Sequence, residues 1–207
     1  MPLDTYALTT VAVAKSHLGI MPADTSQDET LTRMINAASQ KIEQYCDRKF
    51  KKRQYIEFYD GRGNDRLLLR HWPCDKPTEL WDDAGNEFTS STNLIDPADY
   101  VIEQSSDGGV GVILVNGLRF SRGNQNIKVL YEAGYSAIPY DIEEACLFTV
   151  EYLYTMKQDR RIGVSSKGKN GESTQFRDDL PTFILDILDR YKRVEFALAF
   201  APVGNER

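Results

Sequence analysis

Residues 26–50 read SQDETLTRMINAASQKIEQYCDRKF, and within them Leu31, Met34, Ile35, Ala38, Ile42, Tyr45 and Cys46 recur at intervals of three and four. At about 3.6 residues per turn this spacing wraps one apolar stripe around roughly five turns of helix, leaving Arg33, Gln40, Lys41, Glu43 and Gln44 on the wet side. Ser26 and Glu29 have the spacing of a capping box, and Asp28 and Glu29 suit the positive end of the helix dipole. Upstream, Thr9 or Thr10 is placed to cap a short helix that carries Val11, Ala14 and Leu18 on one face and ends at Gly19. Stripes of this kind need partners to bury against, which the rest of the chain must supply.

After Phe50 the period changes to two and turn residues appear every dozen or so positions, the pattern of a sheet. Residues 54–59 and 66–70 flank Asp60-Gly61-Arg62-Gly63-Asn64, which predicts a reversal between two strands. Shorter strands are expected at 78–82 and 100–104. The clearest are 110–115 and 126–131, the first preceded by Asp107-Gly108-Gly109 and followed by Asn116-Gly117, both turn signals. Tyr55, Glu57 and Tyr59 alternate with Ile56 and Phe58, so large side chains lie on both faces of one strand. That predicts a sheet covered on each side, with a neighbouring subunit as one cover.

Helix returns after Pro139, where Asp141 and Glu144 have capping-box spacing and Ile142, Ala145, Cys146, Thr149, Leu153 and Met156 form a stripe. Residues 163–174 read as a polar loop. A last helix starts near Pro181, whose missing amide costs nothing in a first turn, and buries Phe183, Ile184, Ile187, Leu188 and Tyr191. Arg190, Lys192 and Arg193 complement the negative end of its dipole. The expected fold is α+β: a small bundle of about four helices, from 1–53 and 134–195, with an antiparallel β subdomain inserted at 54–133 and an apolar tail at 196–207.

Composition narrows the function. A chain of 207 residues that is 41% hydrophobic has enough apolar surface for a core,. No apolar run approaches the roughly 18 residues of a membrane helix, and the first residues lack a basic start followed by an apolar signal segment, so synthesis in the cytoplasm is expected. Three cysteines, an odd number, argue for buried thiols over a disulfide scaffold,. His71 and Cys74 have metal-ligand spacing, but His17 is the one other histidine and Cys46 and Cys146 lie on apolar stripes, short of the about four convergent ligands of a zinc site. Gly108, Gly109 and Gly111 resemble part of a phosphate loop, yet a strand follows where a helix N-terminus is required. Asp60, Asp82, Asp83 and Asp107 sit in turn-like sequence, where Asp serves local hydrogen bonds. No serine or cysteine has a nucleophile-elbow context. These readings exclude metal and cofactor chemistry and point away from an enzyme.

The formal net charge of −6 disfavours a protein that grips nucleic acid,. Two segments run against that average. Arg48, Lys49, Lys51, Lys52 and Arg53 surround Phe50, and Arg160, Arg161, Lys167 and Lys169 lie in a stretch without an acid. The plain reading of each is a solvated charge run.

Thr10, Lys15, Leu18, Ile20, Asp28, Leu31, Ile35, Ala38, Ile42, Glu43, Tyr45 and Arg48 resemble the opening of phage head-tail connector (adaptor) proteins. The run Val129-Leu130-Tyr131-Glu132-Ala133-Gly134-Tyr135, then Ile138-Pro139 and Asp141-Ile142-Glu143-Glu144-Ala145, is similar to the same family's central strand and helix. The terminal Tyr191-Lys192-Arg193 helix is similar again, and together these matches cover about half of the chain. The resemblance implies a structural virion protein in the neck of a tailed bacteriophage: a homo-oligomeric ring of about a dozen copies below the portal, through which double-stranded DNA passes, meeting a downstream neck or tail-completion protein. It further implies that the terminal segment docks on the portal, which would use Tyr191, Arg193, Phe196, Leu198 and Phe200. The two basic segments would then face the lumen or an acidic rim of the portal. The alternative is that the inserted sheet is a binding module for carbohydrate or another virion protein, displaying Tyr55, Tyr59, Trp72 and Trp81.

Overall fold

The computed structural model describes residues 2–105, 108–158, 166–169, 172–175 and 180–192. The chain divides into two compact units, one of Met1–Arg48 with Asp141–Arg207 and the other Lys49–Tyr140. The fold is α+β.

The described helices of the first unit are α1 (Val11–His17), α2 (Asp28–Cys46), α3 (Tyr140–Gln158) and α4 (Thr182–Leu188), the last running into a 3-10 turn at Asp189–Tyr191. Thr10 caps α1, its hydroxyl accepting the Val13 amide at 3.3 Å. Leu31, Ile35, Ala38, Ile42 and Cys46 of α2 are fully buried, as are Ile142, Ala145 and Cys146 of α3 and Ile184 and Leu188 of α4. Polar contacts register these stripes against one another. The Ser39 hydroxyl accepts the Leu8 amide at 3.0 Å and lies 3.8 Å from the Cys146 sulfur. Tyr45 donates to Asp189 at 2.6 Å, and the Cys46 thiol donates to the Leu188 carbonyl at 3.6 Å.

Several local expectations are corrected. The capping box at Ser26 does not form: Gln27 precedes the helix without a side-chain cap, because Asp24 takes the Ser26 amide at 2.9 Å while Lys15 holds Asp28 at 2.5 Å. The capping box of Asp141 with Glu144 does not form either. The helix starts one residue earlier, which places Asp141 inside the first turn, where its carboxylate accepts the Ile142 amide at 3.0 Å and the Tyr191 hydroxyl at 2.8 Å. Glu43, assigned to the wet side, is buried with Thr32 and Ser39, because α2 is covered over a face wider than one stripe. Phe183 is 50% exposed, its ring edge-on to Phe148 at 5.3 Å. The stretch read as a polar loop contains an antiparallel pair, β7 (Ser166–Lys169) with β8 (Glu172–Gln175). Backbone pairing needs no apolar alternation, so hydrophobic periodicity carried no sign of it.

The second unit holds β1 (Arg53–Arg62), β2 (Arg66–Leu68), β3 (Glu79–Asp82), β4 (Tyr100–Ser105), β5 (Gly108–Leu114) and β6 (Arg122–Ala133). They form two three-stranded antiparallel sheets, ordered β1-β6-β3 and β2-β5-β4. The reversal near Gly63 is present, with φ at +75°, but β1 and β2 do not pair with each other; they part to different sheets. Cys74 forms an isolated bridge to both Gly109 and Ala133, linking the central strands β5 and β6. Both sheets turn one row inward onto a single core that includes Leu67, Leu80, Tyr100, Val112, Leu114, Ile127, Val129 and Tyr131.

Two outcomes test this packing. Ile35→Ala should cost about 2–5 kcal/mol by opening a cavity, whereas Lys41→Ala should stay within about 0.5 kcal/mol, both read from urea midpoints. Burial pushes the thiols of Cys46, Cys74 and Cys146 up to about 12. At pH 8 a thiol reagent should therefore label none of the three in the native protein and all three in denaturant.

Candidate assembly surfaces

Strict alternation along β1 gives its sheet two different faces. Inward, Tyr59 and Tyr131 donate their hydroxyls to one oxygen of Glu57 at 2.5 and 2.6 Å. His71 stacks on Tyr55 with ring centroids 3.9 Å apart and sets Nε2 at 3.6 Å from the other Glu57 oxygen. Burial and the adjoining carboxylate push the Tyr59 and Tyr131 hydroxyls well above the usual phenol range. Tyr55 and Tyr59 thus serve the interior of the unit and are not displayed for a ligand.

Outward, the register sets Ile56 beside Leu130 and Leu130 beside Glu79, then Phe58 beside Lys128 and Lys128 beside Trp81. Ile56 is 60% exposed and Phe58 39%. The Lys128 ammonium lies 5.8 Å from the centroids of both Trp81 and Phe88. Phe88 reaches this face by an uncommon route: its φ is +52°, a left-handed value that a bulky residue adopts only when its surroundings impose it,. The imposing group is Asp83. Its carboxylate accepts the amides of Gly85 at 2.8 Å, Glu87 at 3.2 Å and Phe88 at 2.8 Å. The folded loop brings the Phe88 ring to 5.4 Å from Phe58. Sequence reading named Asp83 as a turn residue but missed Phe88 and Lys128; the available signal was the Asp83-Ala84-Gly85-Asn86 turn leading to an aromatic.

The second sheet also has an outward apolar row. Ile113 lies between Arg66 and Val101, and Gly111 between Leu68 and Glu103. Leu68 is 44% and Val101 47% exposed, and Arg66 pairs with Glu103 at 3.1 Å across the bare backbone of Gly111.

The basic segment around Phe50 does not act as one exposed patch. Arg48 is buried, Lys52 is paired with Asp75 at 2.5 Å and Glu132 at 3.1 Å, and Arg53 donates to the Lys51 carbonyl at 3.3 Å. Lys167 and Lys169 lie on β7. Arg160, Arg161, Arg193, Phe196, Leu198 and Phe200 lie outside the described residues. Tyr191 is half-buried, spending its hydroxyl on Asp141. Among the described residues no three His, Cys, Asp or Glu converge as metal ligands, and no helix is long and apolar enough to cross a membrane.

The head completion protein family matches residues 7–194. No curated protein sequence matches the chain. Solved structures similar to it include a chain of the neck of an empty gene transfer agent particle computed with C6 symmetry, at TM-score 0.61 and 17% identity, covering 98% of this chain and 97% of that one. A chain of the neck of the native particle, computed with C12 symmetry, gives TM-score 0.59 and 16% identity over 98% and 100%. One from the native virion of the gene transfer agent gives 0.59 and 18% over 98% and 97%.

The Asp83 loop is open to titration. The amides of Phe88 and Gly85 hold the Asp83 carboxyl below its ordinary 3.8. With the folded value lowered, its contribution is complete well above the unfolded value and is lost as pH falls through the folded one. Asp83→Asn should therefore lower Tm at pH 7, and the gap to wild type should close below pH 3.8, as parallel thermal scans would record.

Proposed function

Since the chain belongs to the head completion protein family, and so is a structural component of a virion and not an enzyme, we propose that it is the neck adaptor of a tailed phage, closing into a ring of about a dozen copies beneath the portal. Packaged double-stranded DNA passes through the ring without being gripped, in keeping with a net charge of −6,.

The observation that carries this reading is likeness over 98% of the chain to components of neck assemblies having sixfold and twelvefold symmetry. Rings need heterologous interfaces, in which one face of a protomer meets a different face of its neighbour. The β unit has two dissimilar outward apolar faces to offer. Tyr55 stacked on His71 and Tyr59 bonded to Glu57 inside the unit weigh against a carbohydrate site. The portal partner is reached by the tail bearing Phe196, Leu198 and Phe200, each side chain gaining roughly 1.5 to 3 kcal/mol on full burial before ordering costs. Arg160, Arg161, Lys167 and Lys169 remain the basic segment suited to the lumen or an acidic portal rim, and Lys51 and Arg53 are the second candidates for that role. A downstream neck or tail-completion protein occupies the other end of the ring.

Deleting residues 196–207 should leave a folded protein, judged by circular dichroism and melting, that no longer joins portal-containing heads. Normal incorporation of the truncated chain would remove the tail from the portal contact.

A further inference from the structure

We propose that in the free protein the tail packs back onto its own helices, Phe196, Leu198 and Phe200 seating along the groove between α2 and α3, and that this contact sheathes the tail until the portal takes it. The sheathing rests on the portal role of the tail given above; the seat itself does not. The groove has a volume of ≈ 230 Å³ and is lined by Thr30, Arg33, Met34, Ala37, Leu153 and Lys157. Met34 and Leu153 are only half-buried and Ala37 is exposed. Lys157 donates to the Thr30 hydroxyl at 3.1 Å and so bridges the two helices. A volume below the roughly 300–1,000 Å³ of small-molecule sites suits the side chains of a peptide.

The last described residue places the start of the tail on the same face of α2 as the groove. Lys192 sets its ammonium 4.1 Å from the centroid of the Tyr45 ring, and Asp189 accepts the Tyr45 hydroxyl at 2.6 Å. Tyr45 lies on the face of Ala37, two steps of four residues along the helix,. At about 1.5 Å per residue, Ala37 is about 12 Å back from Tyr45 and Thr30 about 22 Å. Lys192 has φ −59° and ψ 135°, so the chain leaves the 3-10 turn extended,. An extended chain advances about 3.3 Å per residue, which carries Phe196 about 13 Å and Phe200 about 26 Å from Lys192. Phe196 thus spans the distance to Ala37, and Phe200 the distance to Thr30. In an extended tail the period of two puts Phe196, Leu198 and Phe200 on one side and Ala197, Ala199 and Ala201 on the other, large side chains toward the groove and small ones away,. Starting point, length and alternation select this segment over a second copy or a separate partner.

The test uses the full-length chain at low concentration. Under oxidant, Ala37→Cys with Phe196→Cys should close an intramolecular disulfide at least about tenfold faster than Gln40→Cys with Phe196→Cys, although Gln40 is nearer to Tyr45 along the helix,. The native cysteines are buried and do not compete. Ala37→Arg, at an exposed position, should crowd the groove without unfolding the chain and raise the initial rate of chymotryptic cleavage after Phe196, Leu198 and Phe200 by about tenfold,. The closed disulfide should lower incorporation into portal-containing heads by about tenfold, and reduction should restore it. Equal closure rates, linkage chiefly between chains, or unchanged cleavage of Ala37→Arg overturns the seat. Locked chains that join heads normally overturn the sheathing. Where the seat is found and the chain lacking residues 196–207 still joins heads normally, the portal role of the tail falls and the seat stands.

Discussion

Tyr135 donates its amide to the Phe50 carbonyl at 2.7 Å and accepts the Lys52 amide at 3.0 Å, pairing the point where the chain enters the β unit with the point where it leaves. Gly134 makes this approach feasible. Its φ is +107°, and a Cβ there would lie 2.8 Å from the Phe50 carbonyl oxygen. Lys52 reinforces the junction through Asp75 and Glu132. From this clasp the β1–β6 ladder runs outward from Arg53 opposite Ala133, so two strands far apart in sequence are brought into register at the base of the unit. Closing a loop of this length costs entropy that grows only slowly with length, which is why a whole β unit is accommodated between helices.

That ladder determines what the strand faces do. With β6 central in one sheet and β5 central in the other, consecutive strands are distributed between sheets, and inward residues converge on one core. Glu57 shows how closely the interior is accounted for. A carboxylate under the sheet is tolerated because two phenols donate to it and His71 and Arg70 lie near,. The outward rows instead keep exposed apolar side chains, Ile56 and Phe58 on one sheet and Leu68 and Val101 on the other.

The proposed role asks a protomer to hold its neighbours while DNA slides, and the charge arrangement is in keeping with it. Two of the five basic residues around Phe50 are held internally: Arg48 is buried and Lys52 is paired twice. Cations held in this way contribute less to phosphate binding, in keeping with the proposed ungripped passage of DNA. In the proposed ring, contacts would fall instead to apolar faces, where burial is non-directional and strong.

Much of the fold was legible because helical periodicity is a local property. The stripe of α2, a threonine cap at 9 or 10, the α3 stripe, the strands at 110–115 and 126–131 and the burial of all three cysteines follow from spacing and residue type alone. Membership of a connector family was also visible in patterned residues such as Val129 to Tyr135. Partnership was not legible: whether Asp141 forms its capping box or receives Tyr191, whether Glu43 is wet, and whether β1 pairs with β2 or β6 depend on which distant segment arrives, and sequence spacing does not encode distance through space. The same holds for Phe88, placed on an exposed face by amides gathered onto Asp83. Local periodicity determined the elements and their apolar sides, whereas tertiary structure alone decided the pairing and the outward faces, because those arise from long-range backbone hydrogen bonds that any side-chain pattern permits.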